Sequence, residues 1–179
     1  MAVCLMTKGL TKDNSCGYSL PQIVEIYLAN FADVTATTLS DSKQEVATIT
    51  LASSKKFYKV EPSQNSASWS DTLGVGGSGN KYRVHTIGFS YSGVYNDETA
   101  DVLDALSLGK YIAVVRLADG TYVMLGRGAG LEAQADGANN AGSGDATAEG
   151  GITVSLTGNT TEVALPLTDD AVKTVIGGE

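Results

Sequence analysis

The chain has 179 residues, which suits one domain, or one domain with arms, and is long enough to bury a real core. Its formal net charge of −8 comes from scattered acids, which excludes a strong grip on nucleic acid, because phosphate neutralisation needs clustered Lys and Arg. Two cysteines exclude a disulfide framework, and no run approaches the roughly 18 apolar residues of a membrane span.

Residues 1–21 read as an extended, irregular N-terminal arm. Lys12-Asp13-Asn14-Ser15-Cys16-Gly17 is turn chemistry, and no hydrophobic period precedes it. Met1–Leu10 lacks a basic n-region and is too short for a signal h-region, so no secretory leader is expected. Cys4 and Cys16 both fall in this arm. The simpler reading is two ordinary thiols in a reducing cytosol, with a bridge between them left open. No histidine or further cysteine sits nearby to complete a zinc set.

The main domain is expected over 22–167. Ile23–Leu28 is strand-like, and Phe31–Leu39 continues the sheet after a bend. Glu45–Leu51 alternates, with Ala47, Ile49 and Leu51 on one face and Val46, Thr48 and Thr50 on the other. Lys56–Glu61 and Ser66–Leu73 are further strands, separated by a turn at Pro62–Asn65. Tyr82–Tyr91 is the longest strand. It pairs with Ser66–Leu73 across the glycine-rich Gly74–Asn80, making a long projecting β-hairpin arm.

One helix is expected, at about 97–108. Asn96 or Asp97 can cap it, and Asp97 and Glu98 suit the positive end of the helix dipole. Val102, Leu103 and Leu106 share a face at helical spacing, and Gly109 is a plausible C′ residue. Three turns are too short to be stable alone, so this face must pack on the sheet.

Ala113–Gly126 reads as two strands joined at Asp119-Gly120, a hairpin signal for a type I′ turn. The Gly/Ala/Asn-rich stretch Ala133–Gly150 is too poor in apolar surface to order itself. It is expected to be a flexible loop that orders against another subunit. Gly151–Gly158 is a strand, Thr161–Leu167 a last one, and 168–179 a C-terminal tail with at most a weak turn at Val172–Ile176. No internal repeat is evident.

No motif carries chemistry. Gly74-Val75-Gly76-Gly77-Ser78-Gly79 matches G-x-G-x-x-G, but a dinucleotide cradle needs a helix next, and Lys81–Thr86 is strand-like. Asn80 stands where a Walker lysine would be, so the segment reads as a hairpin tip. His85 is the single histidine, in a same-face set with Arg83 and Ile87, and lacks the orienting carboxylate and nucleophile that general-base work needs. It reads as a structural or interface histidine. Trp69 fits either a core anchor or a subunit contact. Gly126-Arg127-Gly128-Ala129-Gly130 reads as a bend that redirects a strand. Asp97, Glu98, Asp101 and Asp104 form the solvated side and capped start of the helix. The sequon Asn159-Thr160-Thr161 has no secretory context. The interface candidates are therefore Trp69, Gly74, Gly76, Gly77, Gly79, His85 and Arg127, with no catalytic, cofactor or metal residues.

The order of a long hairpin, a short helix ending Leu103-Asp104-Ala105-Leu106-Ser107-Leu108-Gly109-Lys110, the Asp119-Gly120 hairpin, Gly130-Leu131-Glu132, a glycine-rich segment and Gly151–Gly158 resembles one family. It is similar to the major tail tube proteins of tailed bacteriophages, and more broadly to the tubes of contractile injection and type VI secretion systems. The likeness covers about Trp69–Thr161. It implies a mainly β fold, a β-sandwich or barrel of antiparallel strands with one flanking α-helix. It also implies hexameric rings that stack into a tube in the virion tail, made in the host bacterial cytoplasm. Such a tube contacts other tail proteins and conducts viral DNA without specific binding, with no membrane anchor and no cofactor. Other readings are a tail terminator, connector or decoration protein, or a surface β-sandwich binding module. An enzyme has the least support, because no nucleophile, base and orienter can be assembled.

Overall fold

The computed structural model describes residues 9–10, 22–41, 44–142 and 151–177. The expectations for Cys4, Cys16 and most of the N-terminal arm lie outside the described residues, as do those for 143–150.

The chain is mainly β. In order it forms β1 (Ile23–Asn30), a 3-10 turn (Phe31–Asp33), β2 (Val34–Leu39), β3 (Val46–Leu51), β4 (Tyr58–Val60), β5 (Ser68–Val75) and β6 (Lys81–Tyr91). Then follow α1 (Asp97–Leu108), β7 (Lys110–Leu117), β8 (Tyr122–Leu125), β9 (Leu131–Ala141), β10 (Gly151–Thr160), β11 (Leu165–Pro166) and α2 (Asp169–Ile176).

β7 is the hub. Its run Tyr111-Ile112-Ala113-Val114-Val115 is buried on both faces, as expected of a central strand. β1 lines one edge, with β4 beyond it, and β8 lines the other, followed by β11. At the start of β7, Lys110 and Tyr111 pair instead with Glu132 and Leu131 of β9. The sheet turns this corner and continues as β9-β10-β6-β5.

Two apolar cores follow from this bend. Ile26, Leu28, Ala113, Val115 and Leu125 pack against Ile87, Phe89, Val154 and Leu156 of the second layer. The opposite side of the hub layer, with Tyr27, Ile112, Val114 and Met124, is covered by Val46 and Ile49 of β3 and by Ala171 and Val175 of α2. The antiparallel sheet does not close into a barrel; β11 and β5 end the strand path.

Several expectations need correction. Among the described residues there are two α-helices, not one. The tail contains α2, whose Thr168 side chain accepts from the Ala171 N–H at 3.5 Å and donates to Ala47 O at 3.0 Å. Ala171 and Val175 are fully buried, so packing on β3 rather than local propensity orders this helix. Ala133–Ala141 is strand, not loop. Its small residues are held by the backbone ladder to β10, which resumes at Ala138↔Val154 after a bulge at Gln134–Gly137. The hairpin is not a free arm, because Arg83–Tyr91 also pairs with β10, and only the tip lies past the last paired residue, Thr160.

Smaller details differ too. In β3 the strict alternation fails. Val46 and Ile49 are both buried, because a register shift lies opposite, between Thr38 and Leu39. The β7–β8 turn is not type I′. Only Gly120 has a positive φ, of 89°, and its N–H bonds Leu117 O at 3.0 Å, a three-residue loop with glycine in the left-handed position.

α1 has the expected bounds and a full capping box. Asn96 Oδ1 accepts from Thr99 N–H at 2.9 Å, and Thr99 Oγ1 accepts from Asn96 N–H at 2.7 Å. Leu106 is buried and Leu103 packs on the core, but Val102 is 57% exposed. Gly109 is extended rather than left-handed; an added Cβ there would collide with Tyr111 Oη.

Candidate assembly surface

The second layer presents a long edge strand and a polar face. β5 pairs only with β6 among the described residues, so its outer edge has no strand partner. The hairpin register sets which groups face outward. Gly76 N–H bonds Asn80 O at 2.8 Å, and Gly74, Thr72 and Ser70 follow at two-residue steps. Their N–H groups therefore point at β6, while those of Val75, Leu73 and Asp71 point away. β5 reads Ser-Trp-Ser-Asp-Thr-Leu-Gly-Val, without lysine or proline; Asp71 is its one charge, and the Arg83 side chain donates to the Asp71 carbonyl at 3.0 Å. At the other end of the layer, β9 has no strand on its second edge beyond Glu132 among the described residues, although α1 packs against it.

The face of this layer turned away from the core is rich in hydroxyls. Ser70 lies opposite Thr86, and Thr86 opposite Thr157, with 2.9 Å between the two threonine oxygens. The neighbouring rows place Ser68 and Ser155 either side of Gly88, and Thr72 and Asn159 either side of Val84. Glu132, in register with Thr157, is the charge at its margin and pairs with Lys110 at 2.7 Å.

Behind this face sits a buried polar cluster. The β5–β6 register puts Asp71 opposite His85. Asp71 accepts from Arg83 Nε at 2.7 Å and from the Ala164 N–H at 3.0 Å. His85 is 1% exposed, and its Nδ1 accepts from the Gly126 N–H at 3.2 Å. A neutral imidazole that accepts at Nδ1 carries its proton on Nε2. That atom faces Asp71 Oδ1 at 3.5 Å without hydrogen-bond geometry. Burial holds His85 below the ordinary imidazole value, against the pull of Asp71 and Glu162. Burial raises the Asp71 carboxyl, but the hydrogen bonds from Arg83 and Ala164 outweigh it and hold the group below the ordinary carboxylate range. Nearby, Arg127 grips Glu162 through two nitrogens and reaches Thr37 Oγ1 at 3.2 Å.

The seven candidate residues thus divide. Gly76, Gly77 and Gly79 lie in the hairpin tip, where Gly79 has φ 81°. Gly74 lies beneath the Tyr82 ring, which a Cβ there would strike. Trp69 is half-buried against the core, which favours its anchor role within the subunit. His85 and Arg127 are tied up inside the subunit. The partners Asp71, Gly126 and Glu162 were not foreseen. Asp71 could have been found by pairing the hairpin in register from Gly76–Asn80.

Among the described residues no group of three or more His, Cys, Asp or Glu could hold a metal ion, and no helix is long and apolar enough to cross a membrane. No family model, curated protein or solved structure matches the chain.

Proposed function

We propose that this chain is a self-assembling structural subunit, a tail tube protein of a bacteriophage virion. Its copies join side by side into rings, hexameric by the family resemblance, and the rings stack around a channel that conducts DNA. The observation that carries this reading is the eight-residue β5 edge, which has no strand partner among the described residues on a four-stranded layer. An exposed edge of this kind is a template for another strand. Pairing β5 of one copy alongside β9 of the next removes both edges at once, and a rotation that closes yields a ring.

The hydroxyl face supports the same reading. A layer repeated around a ring turns one face inward, and the core face is already occupied. The inward face is then a lawn of Ser and Thr with few charges, which offers a polyanion water-like contacts and nothing to grip. Other tail proteins at the ends of the tube are the further partners.

Electron microscopy of the purified protein, with mass measurement in solution, tests this. Rings or stacked rings with an open centre are expected. A strict monomer under every assembly condition, absent from any particle, overturns the reading.

A further inference from the structure

His85, the single histidine of the chain, is buried in the middle of β6, and its two ring nitrogens face different elements. Nδ1 accepts from the Gly126 N–H at 3.2 Å. Nε2, also buried, stands 3.5 Å from Asp71 Oδ1 and makes no hydrogen bond among the described residues. The charged groups that act on the ring are Asp71 on β5, Arg83 on β6 and Glu162 after β10. Burial and Arg83 oppose a proton on the imidazole, while Asp71 and Glu162 draw one.

Gly126 opens a tight turn. Its φ is 75°, and its carbonyl accepts from the Gly130 N–H at 2.7 Å. The turn carries Arg127, whose Nε and Nη2 hold Glu162 and whose Nη1 donates to Thr37 Oγ1 of β2 at 3.2 Å. β2 belongs to the separate two-stranded sheet with β3. A line of contacts therefore runs from the imidazole through the turn to the small sheet. Its first link needs a bare Nδ1, because an imidazolium donates from both nitrogens. A proton taken from solvent at Nδ1 sets two donors against each other at Gly126. It also sets a positive ring 3.5 Å from the Asp71 carboxylate, which attracts it.

We propose that His85 is an acid-sensitive latch: its protonation exchanges the Gly126 amide for the Asp71 carboxylate, opens the Gly126–Gly130 turn and frees Arg127 from Glu162 and Thr37. The main sheet then lets go of β2, while the hub around the fully buried Val114 and Val115 stays packed. A local change of charge that biases a two-state contact is how a histidine acts as a switch. The geometry fixes the direction: the latch is closed when the ring is neutral and open when it is charged. It stands whether or not copies of the chain form rings.

Nuclear magnetic resonance of the unaltered protein from pH 8 to 5 tests this, with one imidazole to follow. At pH 8 the ring should carry its proton on Nε2 alone; the Nδ1–H tautomer, or a ring still neutral at pH 5, overturns the proposal. As the ring titrates, the Gly126 amide and the Arg127 Nε–H resonances should move with the same midpoint. Exchange of the Gly126 and Gly130 amides, corrected for the intrinsic effect of pH, should become at least about tenfold faster while that of Val114 and Val115 is unchanged. Titration of the ring without opening of the turn, or equal acceleration of all four amides, overturns it. In a second arm, His85→Asn places a non-titrating oxygen near the position of Nδ1 and should abolish the acid response; a response that persists with the same midpoint overturns the latch. If that variant does not fold, the titration of the unaltered chain decides.

Discussion

The N–H of Gly126 donates to Nδ1 of His85 across 3.2 Å, tying the middle of β6 to the end of β8. This bond joins the two layers at the core, and it requires a neutral imidazole. A proton on Nδ1 would leave the Gly126 N–H facing another donor.

A pH dependence follows. His85 binds its proton less readily in the fold than in the unfolded chain, whose value is near 6.5. The stability tied to neutral His85 is therefore complete above about 6.5 and is lost as pH falls toward the depressed folded value, by up to about 1.4 kcal/mol per pH unit. Asp71 and Glu25 are lowered from 3.8 and 4.5, so their share is present above those values and is lost at lower pH. Denaturant melts from pH 8 to 5 should show the first loss, at matched protein concentration because assembly adds apparent stability. His85→Leu should remove the slope between pH 6.5 and 5 while costing roughly 1–3 kcal/mol at pH 8, through the orphaned Gly126 N–H. An unchanged slope in that variant would assign it to another group.

Leu106 is the buried residue of α1, and Leu106→Ala should cost roughly 2–5 kcal/mol through lost transfer energy and a cavity. Val102→Ala and Asp101→Ala, both on exposed positions, should stay within about 0.5 kcal/mol of the parent. Melts of soluble subunits compare the three, and equal costs would contradict the packing described.

The edge of β5 can be blocked without touching its ladder to β6. Leu73 directs its N–H outward, so Leu73→Pro removes a donor only from the free edge. The subunit should fold with its native circular dichroism, while rings are lost in electron microscopy. Normal rings would exclude β5 as the joining strand.

α2 should behave as part of the core. Val175→Ala is expected to cost roughly 2 kcal/mol by lost burial, and Thr168→Ala about 1 kcal/mol by loss of the cap. A chain ending at Leu167 should expose the apolar surface around Val46 and bind a hydrophobic dye. A truncated chain as stable as the parent would make α2 an appendage.

Features settled by neighbouring residues were legible in the amino-acid order. α1 has the bounds expected from an Asn96 or Asp97 cap, the first-turn acids and the spacing of Leu103 and Leu106, with Thr99 completing a capping box within four residues, and the β5–β6 hairpin was legible from its strands and glycine tip. The mainly β character followed from the Val, Thr, Ile and Tyr content of the strands. What the fold decided depends on contacts distant in the chain. β9 is a strand because β10 supplies its ladder, although Ala, Asn and Gly there have little preference for one. α2 is a helix because β3 buries Ala171 and Val175. His85 looked like a lone strand residue until folding brought Gly126, 41 positions away, to its Nδ1. The open edge of β5 could not be read from composition either, because an edge is defined by which strand fails to arrive, and only the three-dimensional order of strands determines that.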